Sequence, residues 1–86
     1  VANIYAYPNP AIEDVRFEFA NLPTDNYKLK IFNILGVMVF EKQQQITGDT
    51  TIKVDVSNLL KGTYLYSLID SKGKTITTKR LMIIRP

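Results

Sequence analysis

The chain has 86 residues, of which 45% are hydrophobic and 22% charged, and its formal net charge is +3. That composition fits one small globular domain and excludes both a disordered segment and a second domain. There is no histidine, cysteine or tryptophan, which excludes a side chain titrating near neutrality without a perturbing neighbour, a thiolate nucleophile, a thiolate zinc site and a disulfide framework.

Apolar residues recur with period two, and no stretch carries the period of an amphipathic helix. The first strand is broken by Pro8-Asn9-Pro10, whose prolines withhold amide donors and fix φ. Val15, Phe17 and Phe19 alternate with Arg16 and Glu18, the pattern of a half-buried strand. After a loop at Leu22–Asn26, Tyr27, Leu29 and Ile31 alternate with Lys28 and Lys30. Asn33-Ile34-Leu35-Gly36 is a tight connection in which Gly36 can take positive φ. Val37–Phe40 is a continuous apolar run, expected as a strand covered on both faces. Gln43–Thr50 is polar, contains Gly48 and is expected as the longest mobile connection. Ile52, Val54 and Val56 alternate with Lys53 and Asp55, and Tyr64–Ile69 is apolar on both phases, which predicts a central strand. Asp70–Gly73 reads as a hairpin loop with Gly73 left-handed, and the last strand runs from about Thr75 to Ile84. Seven short strands predict an all-β fold, an immunoglobulin-like antiparallel β-sandwich forming a single domain over residues 1–86.

Charge is uneven. Residues 1–27 hold Glu13, Asp14, Glu18 and Asp25 against Arg16, whereas residues 60–86 hold Lys61, Lys72, Lys74, Lys79, Arg80 and Arg85 against Asp70. Such polarity steers an acidic partner toward the C-terminal end, although solvated alternating strands produce it too. Strict alternation puts Lys28 and Lys30 on one face with Phe32 and turns Tyr27 inward with Leu29, so the segment is no stacking platform and no nucleic-acid partner is expected. Asp25 with Asn26, and Asp49 beside Gly48, could offer oxygens to Ca²⁺, but they read better as turn-forming residues, and neither metal nor cofactor is expected. Ser57, Ser67 and Ser71 lack a buried lysine partner, and nothing points to an enzyme. No apolar run reaches bilayer-spanning length, Leu81–Ile84 being among the longest pieces. Val1–Tyr7 does not resemble a signal peptide, and the lack of an initiator Met suggests a piece of a longer protein.

Asp55–Tyr64 is the most organised segment: Leu59 plugs the core, Gly62 takes the bend, and the Tyr64 hydroxyl is expected to return to backbone as in a tyrosine corner. Taken in order, Tyr7-Pro8-Asn9-Pro10-Ala11, Ile31–Val39 around Gly36, Asp55-Val56-Ser57 leading to Leu59 and Gly62-Thr63-Tyr64, and Lys79 in a terminal apolar strand resemble the type A C-terminal sorting domain of the Bacteroidota type IX secretion system. The resemblance runs from about Ile4 to Pro86. Val37 stands where many members have a charged residue, and the chain ends Arg85-Pro86 where a terminal Lys is commoner.

The resemblance implies a secretion signal for an N-terminal cargo domain absent from this chain. The cargo would pass through the periplasm and an outer-membrane translocon with its shuttle components, to the cell surface or the medium. A sortase-type cysteine peptidase would then remove the domain. By the same resemblance, Pro8, Asn9 and Pro10 match the first family motif, Gly36 the second, and Gly62, Tyr64 and Lys79 the last, with Leu81, Met82, Ile83, Ile84, Arg85 and Pro86 as the recognition strand. That strand is expected to offer its edge to a receptor by strand addition, and an edge-strand dimer is a further partnership open to it. The competing reading is an adhesive or carbohydrate-binding sandwich module, which would show an exposed aromatic platform, whereas most Tyr and Phe here fall on inward phases.

Overall fold

In the computed structural model, which describes residues 2–85, seven strands form two antiparallel sheets. Strands β1 (Asn3–Tyr7), β2 (Asp14–Ala20) and β5 (Thr50–Asp55) make a three-stranded sheet in the order β1-β2-β5. Strands β3 (Asp25–Asn33), β4 (Met38–Ile46), β6 (Gly62–Ile69) and β7 (Thr75–Ile83) make a four-stranded sheet in the order β4-β3-β6-β7. This is the immunoglobulin-like sandwich expected from the period-two pattern.

The core lies between the sheets, on the phases the alternation marks. Val15, Phe17 and Phe19 of β2 meet Tyr27, Leu29 and Ile31 of β3 and Tyr64, Tyr66 and Leu68 of β6, all buried. Phe17 and Tyr66 touch edge-to-face with ring centroids 5.1 Å apart, an arrangement the aromatic quadrupole favours. Strand β6 is central, between β3 and β7, as its two apolar phases predict.

Two expectations fail at β4. Val37–Phe40 is not covered on both faces: Val37 and Met38 are exposed, Val39 and Phe40 are half-buried, and β4 is the edge of its sheet. Nor is Gln43–Thr50 a long connection, because β4 continues to Ile46 and only residues 47–49 link it to β5. An edge strand pairs on one side only and is hydrated on the other, so a polar run such as Glu41–Gln45 is stable there. Lys42 and Gln44, opposite Leu29 and Tyr27, occupy the inward phase and discourage pairing with a further strand. The aromatics also differ in part, since Tyr5 and Tyr7 are exposed on β1.

Each strand reverses the direction of the one before it, and every connection is short. The connections therefore gather alternately at two poles of a body 38 Å long. Residues 8–13, 34–37 and 56–61 and the end of β7 share one pole. Residues 21–24, 47–49 and 70–74 share the other with the start of β1, where Asn3 pairs with Ala20 at the end of β2.

Phe17→Ala, which empties the fully buried centre of the core, should cost about 3–5 kcal/mol, much of the ~5–15 kcal/mol available to a small domain. Urea unfolding should show a lowered midpoint with an unchanged slope; an unmoved midpoint would mean that the two sheets do not depend on the Phe17–Tyr66 contact.

Candidate recognition site at one pole

Most of the motif residues converge on one pole. Pro8, Asn9 and Pro10 follow β1 there, Gly36 turns β3 into β4, Gly62 opens β6 with Tyr64 just inside it, and Leu81–Arg85 end the described chain. Lys79 sits further back along β7, and Pro86 lies outside the described residues.

Strand β7 pairs with β6 along one edge, Leu81 opposite Tyr64 and Ile83 opposite Gly62. Its other edge is met by residues 9–11. The Asn9 carboxamide donates to the Arg80 carbonyl (3.0 Å) and accepts from the Met82 amide (3.0 Å). The Ala11 amide then donates to the Met82 carbonyl (2.8 Å), and Ala11 accepts from the Ile84 amide (2.9 Å). Asn9 thus acts as a side-chain surrogate for a peptide group, flanked by two prolines that bring no competing amide donor. The expected free edge for strand addition is therefore already taken along Arg80–Ile84. An incoming strand would have to displace Asn9 and Ala11. Of the terminal side chains, Leu81 and Ile83 are buried in the core, while Met82 and Ile84 are exposed.

Two cations of the basic C-terminal third are used internally. Lys79, on the inward phase of β7, donates to the Ile4 carbonyl at 2.9 Å and lies 4.6 Å from the Tyr5 ring centroid, linking β7 to β1 of the other sheet. The Arg85 guanidinium donates to the carbonyls of Val56 (2.8 Å), Ser57 (3.3 Å), Leu59 and Ile12. A planar fork with five donors can gather several carbonyls; a lysine ammonium cannot reproduce that geometry. Lys72 and Lys74 stand at the opposite pole, so the positive charge is not concentrated beside the terminal strand.

The connection that Arg85 grips is itself ordered. The Leu59 amide donates to Val56 O (3.0 Å), the Ser57 amide to the Asp55 carboxylate (2.8 Å), and the Tyr64 hydroxyl to Leu60 O (2.6 Å). The last bond is the expected tyrosine corner. A second one escaped sequence reasoning: the Tyr27 hydroxyl donates to Pro23 O at 2.5 Å. The same spacing was available as a signal, each hydroxyl returning to the carbonyl four residues earlier.

Asn33 was also missed as an organiser. Its carboxamide oxygen accepts from the amides of Leu35 (2.9 Å) and Val37 (3.0 Å), while its backbone bonds Gly36 N (3.0 Å) and Val37 O (2.9 Å). Gly36 has φ +84°, as its place in the turn requires. The hairpin tip is consequently fixed, with Ile34 and Leu35 held out in solvent. The pole offers shape, apolar surface and a segment after β7 held by Arg85, and among the described residues no acidic cluster is arranged to hold a metal ion.

Asn9→Ala should leave the fold intact and accelerate amide exchange at Met82 about tenfold or more, by removing its acceptor; unchanged protection would show that Ala11 alone holds the edge. The Ser57 hydroxyl and then its amide hold Asp55 below the ordinary 3.8, and the Ser71 hydroxyl followed by the Asn26 amide does the same for Asp25. A carboxylate whose folded pKa is lowered stabilises above its unfolded pKa and loses that contribution as pH falls through the folded value. Thermal stability should therefore decline below about pH 4, and Asp55→Asn should flatten part of that limb. An identical acid limb in the variant would exclude Asp55 as a contributor.

Comparison with known proteins agrees with this geometry. The family model described as "Secretion system C-terminal sorting domain" matches residues 5–84. A curated relative, the ulvan lyase NLR42 of Nonlabens ulvanivorans, is 29% identical over 83 residues, covering 95% of this chain and 15% of that protein. The dimeric latent PorU of Porphyromonas gingivalis contains the same fold, with a TM-score of 0.86 and 20% identity over all of this chain and 9% of that one. The chain thus spans a small part of the proteins it matches, and it belongs to the secretion system C-terminal sorting domain family.

Proposed function

We propose that this chain, a member of the secretion system C-terminal sorting domain family, acts as a non-catalytic sorting signal of type IX secretion that directs what precedes it to the cell surface or the medium. In this proposal the pole bearing Pro8–Pro10, Gly36, Gly62 and the end of β7 is the surface the export apparatus engages, and cargo joins at the opposite pole. The carrying observation is the alternation of connections, which sets the start of β1 at one end of the body and Pro8–Pro10, Gly36, Gly62 and the end of β7 at the other. A cargo of any size then extends away from the recognised end.

On this reading the cargo is read in the periplasm and handed to a translocon and its shuttle components. A sortase-type cysteine peptidase cuts on the cargo side, near the start of β1. What is recognised is a folded end rather than a loose tail, since Leu81 and Ile83 are core residues and the edge of β7 is capped. Met82, Ile84 and the residues of the Pro-Asn-Pro strap present the accessible part of that end.

The test is a fusion of residues 1–86 behind a fluorescent protein with an N-terminal signal peptide, expressed in a type IX-proficient host and in its translocon-null derivative. Export is expected only in the first strain. Equal amounts of reporter in both media would overturn the proposal. Deleting Leu81–Pro86 should trap the reporter in the periplasm and also unfold the domain, because the deletion takes two core side chains with it.

A further inference from the structure

The β3–β4 hairpin exposes Ile34 and Leu35 at 80% and 83%, followed by Val37 at 57% and Met38 at 46%. Leu60, on the neighbouring β5–β6 connection, is 82% exposed. That connection lies close by, since Asn58 and Leu59 line the same crevice as Val39 and Phe40 at the start of β4. Single exposed apolar residues are ordinary, whereas a contiguous group on a small monomer marks an interaction surface. Nothing in the fold requires these side chains. The turn is closed by Asn33 and Gly36, and Ile34 and Leu35 add no core contact.

We infer that the Ile34–Leu35 tip is an apolar knob that enters a concave apolar pocket on a protein of the export apparatus. The inference rests on the sorting-signal reading and names the contact that reading leaves open. Three observations favour a protein pocket over other occupants. The tip is convex and held by the Asn33 hydrogen bonds, so little conformational entropy opposes docking. It belongs to the pole remote from the start of β1, so a cargo does not shield it. The charges around it do not suit a membrane: residues 8–13 hold only Glu13, residues 34–37 none, and residues 56–61 only Lys61. Arg85 is occupied by backbone carbonyls. Attachment to an anionic leaflet relies on a basic flank beside the apolar residues, which this pole lacks. An anchor of one or two apolar side chains in a desolvated pocket is a common way for a small interface to be specific.

The experiment uses the same reporter fusion carrying Leu35→Asp, Ile34→Asp or Leu35→Met. Both aspartate variants should reduce the exported fraction about tenfold or more, and Leu35→Met should export normally. All three purified domains should melt within about 3 °C of the parent, as expected for solvent-exposed positions. Normal export of the aspartate variants would overturn the inference while leaving the sorting reading intact. Failure of the unsubstituted fusion to be exported would count against the sorting reading and remove the basis of this one. In a second arm, the purified domain is sedimented with vesicles of phosphatidylethanolamine and phosphatidylglycerol (3:1). No co-sedimentation is expected, and co-sedimentation abolished by Leu35→Asp would replace the protein pocket with a membrane.

Discussion

Strand β7 has one strand for a neighbour, and its outer edge must be held by something else. The solution is a strap: the carboxamide of Asn9 and the backbone of Ala11 complete the edge along Arg80–Ile84, while Lys79 and Arg85 tie the same strand to Ile4 and to the β5–β6 connection. An uncapped β7 would present a row of unpaired amides and carbonyls, the commonest template for unwanted strand pairing. In a domain proposed to be read at this pole, that exposure would be harmful before a partner is met. Closing the edge removes that template and makes the two ends of the domain depend on each other, residue 9 on residues 80 and 82.

This interdependence separates what was legible in the sequence from what was not. Period-two alternation places Phe17, Leu29 and Tyr66 inside because burial on a pleated sheet is a local property. Gly36 and Gly73, at φ +84° and +86°, are equally legible, because a left-handed turn is decided within a few residues. The Tyr64 corner is local too. Asn9 is different: Pro-Asn-Pro reads as a strand breaker, and its actual role is fixed by partners more than seventy residues away. Arg85 reads as a terminal charge, yet its acceptors are carbonyls, which every residue has and which no pattern marks. The extent of β4 was hidden for a further reason. A sheet-edge strand needs no apolar alternation beyond the part that touches the core, so Gln43–Gln45 resembles a loop.

The same distinction bears on how a sorting domain can be both stable and readable. Inward side chains of β7, such as Leu81 and Ile83, are committed to the core and cannot be read without unfolding the domain. A receptor that recognised the terminal strand as an extended peptide would have to offset the loss of those buried residues together with the hydrogen bonds of Asn9 and Ala11. A receptor that reads the folded pole meets groups already fixed, and so avoids that cost. The strap, the fixed hairpin tip and the Arg85 clamp are three separate devices converging on one pole, and each keeps that surface in a single shape. Where the domain has not completed its fold, Asn9 is not on β7 and Arg85 is not on its carbonyls, so the surface itself is missing. On the proposal that the folded pole is what the export apparatus engages, export becomes conditional on folding of the signal.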